Sequence, residues 1–332
     1  MKAQILRQPA SIEANPLHLQ DVPQPVLRPG HILIQVSVCG VCHTDLHLVE
    51  GELPNPKLPI IPGHEVVGQV VENGDHTSRF QVGDRVGVPW LHESCQGCAY
   101  CEMGRENLCD DADFTGYTVN GGYAEYITVP EAYAVPIPDH FADEEAAPLL
   151  CAGIVGYRSL RLSDLQPGER LGIYGFGASG HICLQVAQHW GCEVYVFIRG
   201  EAHKRHAHYL GAAWVGEAQD EPPQPLDRSI IFAPAGWIVP LALGHLRKAG
   251  TLCINAIHMS DIPQMPYHLL WNERTIRTVA NATRRDAEAF MPLAAEIPVH
   301  TDTEVFDLDA ANHVLQKMKR SDINGAAVLK IR

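Results

Sequence analysis

The chain has 332 residues, of which 46% are hydrophobic and 19% are charged, a composition typical of a folded protein of about two domains. Its 25 Lys and Arg against 39 Asp and Glu give a formal net charge of −14. A surface this acidic repels phosphate backbones and anionic lipid headgroups. We therefore expect no nucleic acid partner and no membrane partner.

The N-terminal segment lacks an apolar core followed by a small-residue cleavage site, and the sequence has no run of about 18 apolar residues. This pattern predicts a cytoplasmic protein. In that compartment the ten cysteines are expected to be metal ligands or buried apolar side chains rather than disulfide partners.

Two patterns of secondary structure follow one another along the chain. Up to about residue 147, short β-type runs broken by Pro-Gly, Asn-Gly and Gly-Asp turns predict a barrel-like β unit. From residue 171, strands alternate with helices, which is typical of a doubly wound parallel sheet. The predicted strands are 31–38, 66–71, 85–88, 123–129, 171–176, 193–198, 229–233, 251–257, 275–279 and 326–331, and the predicted helices are 178–190, 201–210, 237–248, 286–296 and 309–319.

The most specific motif is C-x2-C-x2-C-x7-C in one short loop, formed by Cys95, Cys98, Cys101 and Cys109. Four thiolates at this spacing can surround one Zn²⁺ tetrahedrally and leave no open position, which is typical of a structural site. The alternatives are two disulfides, free buried thiols or an iron–sulfur cluster. A reducing compartment disfavours the disulfides, and no other redox centre is evident in the sequence.

A second set of potential ligands is dispersed along the chain: Cys42 and His43, His64 and Glu65, and Cys151. Two cysteines and one histidine satisfy a catalytic zinc, which needs three protein ligands and one open position. Spacing alone does not separate such ligands from a packed histidine and packed cysteines.

The motifs GVCHTDLH, PGHEVVGQVVENG, VGDRVGVPWL, the four-cysteine loop, GGYAEY, CAGIVGY and GFGASG occur in this order over essentially the whole chain. In order and spacing they resemble the zinc-dependent medium-chain alcohol dehydrogenases. The resemblance implies that Cys42, His64 and Cys151 bind the catalytic zinc. It also implies that Glu65 lies beside this zinc and that Asp45 orients His64.

The same resemblance implies an α/β fold with two domains. Residues 1–150 and 282–332 would form a barrel-like, GroES-like catalytic domain, and residues 151–281 a Rossmann domain with a doubly wound parallel sheet. One departure is expected, because EPPQP at 221–225 stands where members have a crossover helix. The sheet should then lack a helix on one face.

A proton route is also implied by the resemblance. Thr44 would take the alcohol proton, the nicotinamide ribose would pass it on, and His47 would deliver it to solvent. Alone, Thr44 could be a helix cap and His47 a surface residue. Trp90 matches an aromatic residue that narrows the substrate pocket, with Phe114 and Tyr117 as further lining residues; a core tryptophan is the alternative.

GFGASG follows one predicted strand and opens the next predicted helix, which favours a dinucleotide fingerprint over a chance glycine-rich turn. Gly175 would permit the tight turn, Gly177 the approach of the pyrophosphate, and Gly180 the packing of helix on strand. The helix N-terminus would face the phosphates.

The residues at the end of the predicted strand 193–198 indicate which nicotinamide cofactor is preferred. Ile198 stands where NAD-dependent members have Asp, and Arg199 follows it. A guanidinium without a carboxylate favours the 2′-phosphate of NADP over NAD. Arg199 could instead be a solvated residue or stack on adenine in an NAD complex. Ala326 replaces an arginine that contacts the pyrophosphate in many members, so His43 is a candidate for that contact.

The sequence thus predicts an enzyme: an alcohol dehydrogenase with two zinc ions per chain and NADP or NAD, acting on a primary or secondary alcohol or the matching carbonyl compound as a homodimer or homotetramer. One alternative is an NADPH-dependent reductase of larger or unsaturated aldehydes, for which a wider pocket would be expected. Another is a catalytically idle, zinc-stabilised nucleotide sensor, which would not need Thr44 and His47.

Overall fold

Residues 1–323 and 325–332 are described by a computed structural model of the chain. They form two compact units. The first comprises Met1–Cys151, Thr283–Ala295 and His300–Arg332, and the second comprises Ala152–Ala282 and Glu296–Val299.

Seventeen strands and nine α-helices lie within the described residues. The strands are β1 Lys2–Leu6, β2 Leu17–Asp21, β3 His31–Val41, β4 Glu65–Asn73, β5 Arg85–Val88, β6 Leu91–Glu93, β7 Asp113–Phe114, β8 Tyr126–Pro130, β9 Val135–Pro136, β10 Arg170–Tyr174, β11 Glu193–Phe197, β12 Trp214–Gly216, β13 Leu226–Ile231, β14 Leu246–Ile254, β15 Thr275–Thr278, β16 Thr303–Asp307 and β17 Ala326–Lys330. The helices are α1 His43–Glu50, α2 Ala99–Glu102, α3 Asp143–Ala146, α4 Ala152–Ser163, α5 Ala178–His189, α6 Glu201–Tyr209, α7 Ile238–His245, α8 Arg284–Glu296 and α9 Ala311–Lys319.

The first unit is built on a seven-stranded sheet in the order β16-β17-β3-β4-β5-β9, with β8 also paired to β3. Strand β3 pairs antiparallel with β4, β8 and β17, whereas β16 and β17 run parallel. Two small sheets, β1-β2 and β6-β7, complete the unit. The strand pattern therefore confirms the predicted barrel-like β architecture.

Alternation of apolar residues explains how the first unit forms its core. On β3, Ile32, Ile34 and Val36 are buried, as expected for side chains two apart on one face of a strand. Helix α9 covers this core with an apolar stripe at helical spacing that includes Val314 and Leu315. Burial of each of these two side chains contributes roughly 1.5–3 kcal/mol.

The second unit contains a six-stranded parallel sheet in the order β12-β11-β10-β13-β14-β15. This is the doubly wound Rossmann order, which reverses direction between β10 and β13. Consecutive residues of β11, from Val194 to Phe197, are all buried, as expected for a strand covered on both faces. Residues 217–225, all of them described, form no helix between β12 and β13, which confirms the predicted loss of a crossover helix.

Two predicted boundaries are displaced by competing backbone hydrogen bonds. Strand β8 begins at Tyr126 rather than at residue 123, because the Tyr123 N–H donates to the Pro62 carbonyl. Helix α7 ends at His245, and Leu246 enters β14 at once because it pairs with Leu226 of β13. None of the described helices is long and apolar enough to cross a lipid bilayer.

Candidate functional site

Cys42 precedes helix α1 and acts as its N-cap residue. Its backbone is extended, and its Sγ accepts a hydrogen bond from the Thr44 N–H at 3.3 Å. The Asp45 carboxylate accepts a hydrogen bond from the Cys42 N–H at 2.9 Å, which completes a capping box. The alternative in which Thr44 caps the helix is wrong, because Thr44 lies inside the first turn. The cap fixes the direction of the Cys42 thiol.

His64 stands immediately before β4 and is fully buried. Its Nε2 lies 3.3 Å from Cys42 Sγ, and its Nδ1 lies 3.3 Å from Asp45 Oδ1. Asp45 is held in turn by the Gly63 N–H, which donates to Oδ1 at 3.2 Å. A carboxylate on Nδ1 leaves Nε2 to face the sulfur, which is the usual orientation of a metal-binding histidine.

Cys151 and Glu65 complete this buried cluster. Each of the four side chains offers one ligand atom, and these atoms all lie within 4.8 Å of one another. Ligands at ordinary zinc distances stand about 3.3–3.8 Å apart around one ion. Two sulfurs and an imidazole nitrogen are donors that zinc prefers, and the site therefore fits that ion.

The pKa shifts of the clustered side chains also fit a metal-binding site. Burial raises the pKa of the Glu65 carboxyl well above its usual value. The Cys151 thiol donates to Cys42, which lowers the pKa of Cys42 and raises that of Cys151. Burial lowers the pKa of His64, but the charges of Cys42 and Asp45 outweigh burial and raise it. The cluster therefore holds protons that a metal cation would displace.

The four cysteines of the C-x2-C-x2-C-x7-C motif converge in a second cluster. Sγ–Sγ separations are 3.5 Å for Cys95 and Cys109, 3.6 Å for Cys98 and Cys101, and 4.0 Å for Cys95 and Cys101. All ten cysteines lie in the described residues, and all are free thiols. A disulfide requires about 2.05 Å, and four sulfurs around one zinc stand about 3.8 Å apart. The cluster therefore fits a single ion.

The loop that carries these cysteines is attached to the rest of the first unit through polar side chains. Ser94 donates its N–H to the Tyr133 hydroxyl at 2.9 Å. The Arg284 guanidinium stacks over the Tyr133 ring at 4.5 Å and pairs with the buried Glu106 carboxylate at 2.7 Å. Within 95–109, all described, Cys109 is the one buried apolar side chain. A loop with so small an apolar core is the kind of segment that a bound metal would stabilise.

Trp90 lies against the buried metal-ligand cluster. Its ring meets the His64 imidazole edge-on at 5.0 Å between centroids. On its faces it stacks with Phe114 at 5.3 Å and with Tyr117 at 5.6 Å. Trp90 itself is 8% exposed, and the two stacking partners are half-buried. The structure thus joins all three predicted lining residues in one aromatic wall beside His64.

The predicted proton-route residues share helix α1. His43 is exposed, while Thr44 and His47 are half-buried. The imidazole Nδ1 of His47 contacts the Glu52 carboxylate. The sequence motifs do not predict the contact between Glu52 and His47. The sequence feature that could have indicated it is Gly51, the glycine that ends helix α1 just before Glu52.

The predicted dinucleotide fingerprint lies in the second unit, between β10 and α5. Gly175 has φ +90°, and a Cβ there would lie 2.8 Å from the Ala233 nitrogen. A Cβ on Gly180 would lie 3.0 Å from the Gly175 carbonyl oxygen, whereas nothing lies within 4 Å of a Cβ on Gly177. The backbone at Gly177, where α5 begins, is therefore open to a phosphate group.

Ile198 and Arg199 follow β11. Ile198 is half-buried and donates its N–H to the Gly216 carbonyl at 2.8 Å, whereas Arg199 is exposed. The neighbouring carboxylate in sequence, Glu201, is 77% exposed and pairs with Lys204 at 3.4 Å. The end of β11 is thus followed by the exposed cation of Arg199, and the next carboxylate in the sequence, that of Glu201, pairs with Lys204.

Comparisons with known proteins identify relatives of this chain. Residues 28–139 match the family of alcohol dehydrogenase GroES-like domains. A probable alcohol dehydrogenase of Mycobacterium tuberculosis (strain CDC 1551 / Oshkosh), AdhA, is 46% identical over 100% of this chain and 97% of that relative. An alcohol dehydrogenase of Geobacillus stearothermophilus is 36% identical over 100% of both chains. A solved cinnamyl alcohol dehydrogenase of Sorghum bicolor matches with a TM-score of 0.91 at 27% identity, over 99% of this chain and 97% of that one.

Proposed function

Because the chain belongs to the medium-chain alcohol dehydrogenase family, we propose that it is a zinc-dependent oxidoreductase that interconverts an alcohol and its aldehyde or ketone with NADP or NAD. Its relatives support alcohol oxidoreduction as the general activity. The observation that carries the zinc dependence is the buried group of Cys42, His64, Glu65 and Cys151 with ligand atoms within 4.8 Å. The four-cysteine cluster would hold a second, structural zinc.

In the proposed reaction, Cys42, His64 and Cys151 hold the zinc. A zinc bound there would supply Lewis acidity that favours loss of the alcohol proton, and the nicotinamide cofactor would supply the hydride acceptor. Thr44 would accept the alcohol proton at its hydroxyl and pass on its own hydroxyl proton, and His47, three residues along α1, would take up the relayed proton and release it to solvent. The aromatic wall at Trp90 keeps bulk water from the reacting atoms.

The test is spectrophotometric. Zinc-loaded protein is given a panel of primary, secondary and aromatic alcohols with each cofactor in turn, and the reduced nicotinamide absorbance is followed; aldehydes and ketones are tested in reverse. We expect alcohol-dependent reduction that is lost after removal of zinc by a chelator and restored by its return. No alcohol-dependent signal with either cofactor would contradict the proposed function.

Cofactor choice gives a sharper prediction. We propose a modest preference for NADP, since Arg199 offers a planar fork for a phosphate and no Asp stands at position 198. Ile198→Asp should shift kcat/KM toward NAD by roughly 1–3 kcal/mol, because a carboxylate binds the ribose hydroxyls and repels the 2′-phosphate. Arg199→Ala should weaken NADP alone, and Arg205→Ala, which removes another exposed cation, is the matched control. A strong NAD preference that Arg199→Ala leaves unchanged would overturn this assignment.

A second candidate is the reduction of larger or unsaturated aldehydes. The rings of Trp90, Phe114 and Tyr117 form an aromatic cluster beside His64, and aromatic side chains favour contact with a planar conjugated substrate. The structurally similar Sorghum bicolor protein is a cinnamyl alcohol dehydrogenase. A higher kcat/KM for cinnamaldehyde-type substrates than for short aldehydes in the same panel would favour this candidate.

A further inference from the structure

The Cys101 thiol of the four-cysteine cluster contacts a hydroxyl group that is not part of the C-x2-C-x2-C-x7-C motif. Its Sγ lies 3.5 Å from the Oγ of Ser94 in a hydrogen-bond contact. Ser94 is buried, with 4% of its surface exposed, whereas Cys101 is half-buried. The Ser94 hydroxyl therefore meets the sulfur where little water competes with it.

The Ser94 hydroxyl is held in turn by a second hydroxyl, that of Tyr133. The two oxygens lie 2.8 Å apart, and the Ser94 N–H also donates to the Tyr133 oxygen at 2.9 Å. Tyr133 is 1% exposed, and the Arg284 guanidinium covers its ring at 4.5 Å. These contacts fix the Tyr133 hydroxyl against Ser94, so that the two hydroxyls and the Cys101 sulfur form one chain.

The chemistry of a zinc-bound sulfur decides the direction of the hydrogen bonds in this chain. A cysteine binds Zn²⁺ as the thiolate, which has no hydrogen and can only accept. The Ser94 hydroxyl would then donate to Cys101 Sγ, and the Tyr133 hydroxyl would donate to Ser94 Oγ. Each hydroxyl hydrogen has one acceptor in this arrangement, as buried polar groups require.

We propose that Ser94 is a positioning residue for the structural zinc: its hydroxyl, oriented by Tyr133, donates a hydrogen bond to the Cys101 thiolate and holds this ligand on the metal. This inference rests on the proposed structural zinc and not on the proposed alcohol oxidoreduction. Four thiolates around one Zn²⁺ leave a net negative charge, and the buried Glu106 carboxylate lies in the same loop. A donor to one sulfur offsets part of that charge. Outer partners of this kind orient metal ligands and raise the affinity for the metal.

The first readout is the cadmium-113 NMR spectrum of the full chain with cadmium in place of zinc. Cadmium held by four sulfurs resonates well downfield of cadmium held by two sulfurs and a nitrogen, so the two sites give separate signals. We expect Ser94→Ala to shift the four-sulfur resonance and to leave the other in place. A residue that only fills space would not change one metal's surroundings selectively.

Ser78→Ala is the matched control for this spectrum. Ser78 is an exposed serine of the same unit, and its backbone N–H donates to the Glu131 carboxylate, a contact that the substitution keeps. This variant should leave both cadmium resonances unchanged.

The second readout is zinc affinity, measured by competition with a chromogenic chelator. Ser94→Ala should weaken zinc binding at the four-cysteine site roughly 10- to 100-fold and leave the affinity of the other site unchanged. Tyr133→Phe keeps the ring beneath Arg284 and removes the hydroxyl that orients Ser94. We expect it to shift the same resonance and to weaken zinc binding at the same site, in each case by less than Ser94→Ala.

A four-sulfur resonance or a zinc affinity of the four-cysteine site that Ser94→Ala leaves unchanged would overturn the inference. If Ser94→Ala does not fold, the same result in Tyr133→Phe would overturn it. A wild-type chain that binds no metal through the four cysteines would refute the structural zinc and the role of Ser94 together. A chain that binds this metal but shows no alcohol-dependent reduction would refute the oxidoreductase activity alone.

Discussion

His64 occupies the point at which the buried ligands meet, with Cys42 on one side of the ring and Asp45 on the other. His64→Ala removes the imidazole donor from this cluster and leaves the four-cysteine cluster untouched. We expect the metal content to fall from two ions per chain to one, and kcat to fall by at least about 10³-fold. Elemental analysis measures the first, and circular dichroism checks that the fold is retained. Two ions per chain in the variant would contradict the assignment.

The sequence identifies some of the functional residues at the candidate site but not others. Cys42, His64 and Cys151 lie within motifs whose order identifies the family, so the amino-acid sequence is enough to select them. Their convergence, by contrast, depends on the cap of α1 and on the start of β4. Glu52 lies outside every motif. Its approach to His47 follows from the left-handed turn at Gly51, and a sequence does not reveal which side chain such a turn returns to the helix.

Among the elements, helix α8 is joined to the four-cysteine loop by an ion pair. Arg284 Nη2 lies 2.7 Å from the buried Glu106 carboxylate, and the guanidinium covers the Tyr133 ring. Arg284→Ala would remove the guanidinium from a buried carboxylate and leave it the backbone N–H of residue 284, which donates to Oε1 at 2.8 Å, so we expect the free energy of unfolding to fall by about 2–3 kcal/mol. Arg285→Ala removes the next, exposed arginine and should change stability by less than about 0.5 kcal/mol. Urea denaturation of the zinc-loaded proteins compares the two variants, and equal losses would refute the role of the pair.

Helices and strands with a regular spacing of apolar residues are predictable from the sequence, whereas the residues at which they end are less predictable. Helix α9 follows from its apolar spacing, and the strands of the parallel sheet follow from their short apolar runs. The helix predicted over 237–248 stops at His245, because Leu246 gains a place in the sheet beside Leu226. Helix α4, which begins directly after Cys151, is not among the predicted helices. For the end of α7, tertiary pairing decides the boundary, and local propensity does not report it.

For the molecule as a whole, buried neutral histidines predict the response to acid. Burial lowers the pKa of His92 to about 4, below the usual value near 6.5. The unfolded state therefore binds more protons between these values, and stability rises with pH. The contribution of His92 is fully present above about pH 6.5, and up to roughly 3 kcal/mol is lost as pH falls toward 4. Burial also lowers the pKa of His245, which acts in the same direction.

This pH dependence can be measured by chemical denaturation at several pH values. His92→Asn should flatten the fall in stability between about pH 6.5 and pH 4, even if the variant is less stable at neutral pH. His18→Asn, which changes an exposed histidine on β2, should keep the wild-type slope. An identical slope in all three proteins would show that burial of His92 does not govern acid sensitivity.

The pairing of β3 with β17 has a consequence for how the protein forms during synthesis. All residues of both candidate metal sites have been translated once Cys151 has been added to the chain. Strand β17 is translated only after the whole second unit. The second unit is nearly continuous in sequence, so it can fold on the ribosome while the first still lacks two strands of its sheet. The thiols of both clusters are therefore translated well before the last strand of the first unit's sheet. If the chain depends on zinc as proposed, a shortage of zinc or of reductant during translation should then lower the yield of active protein.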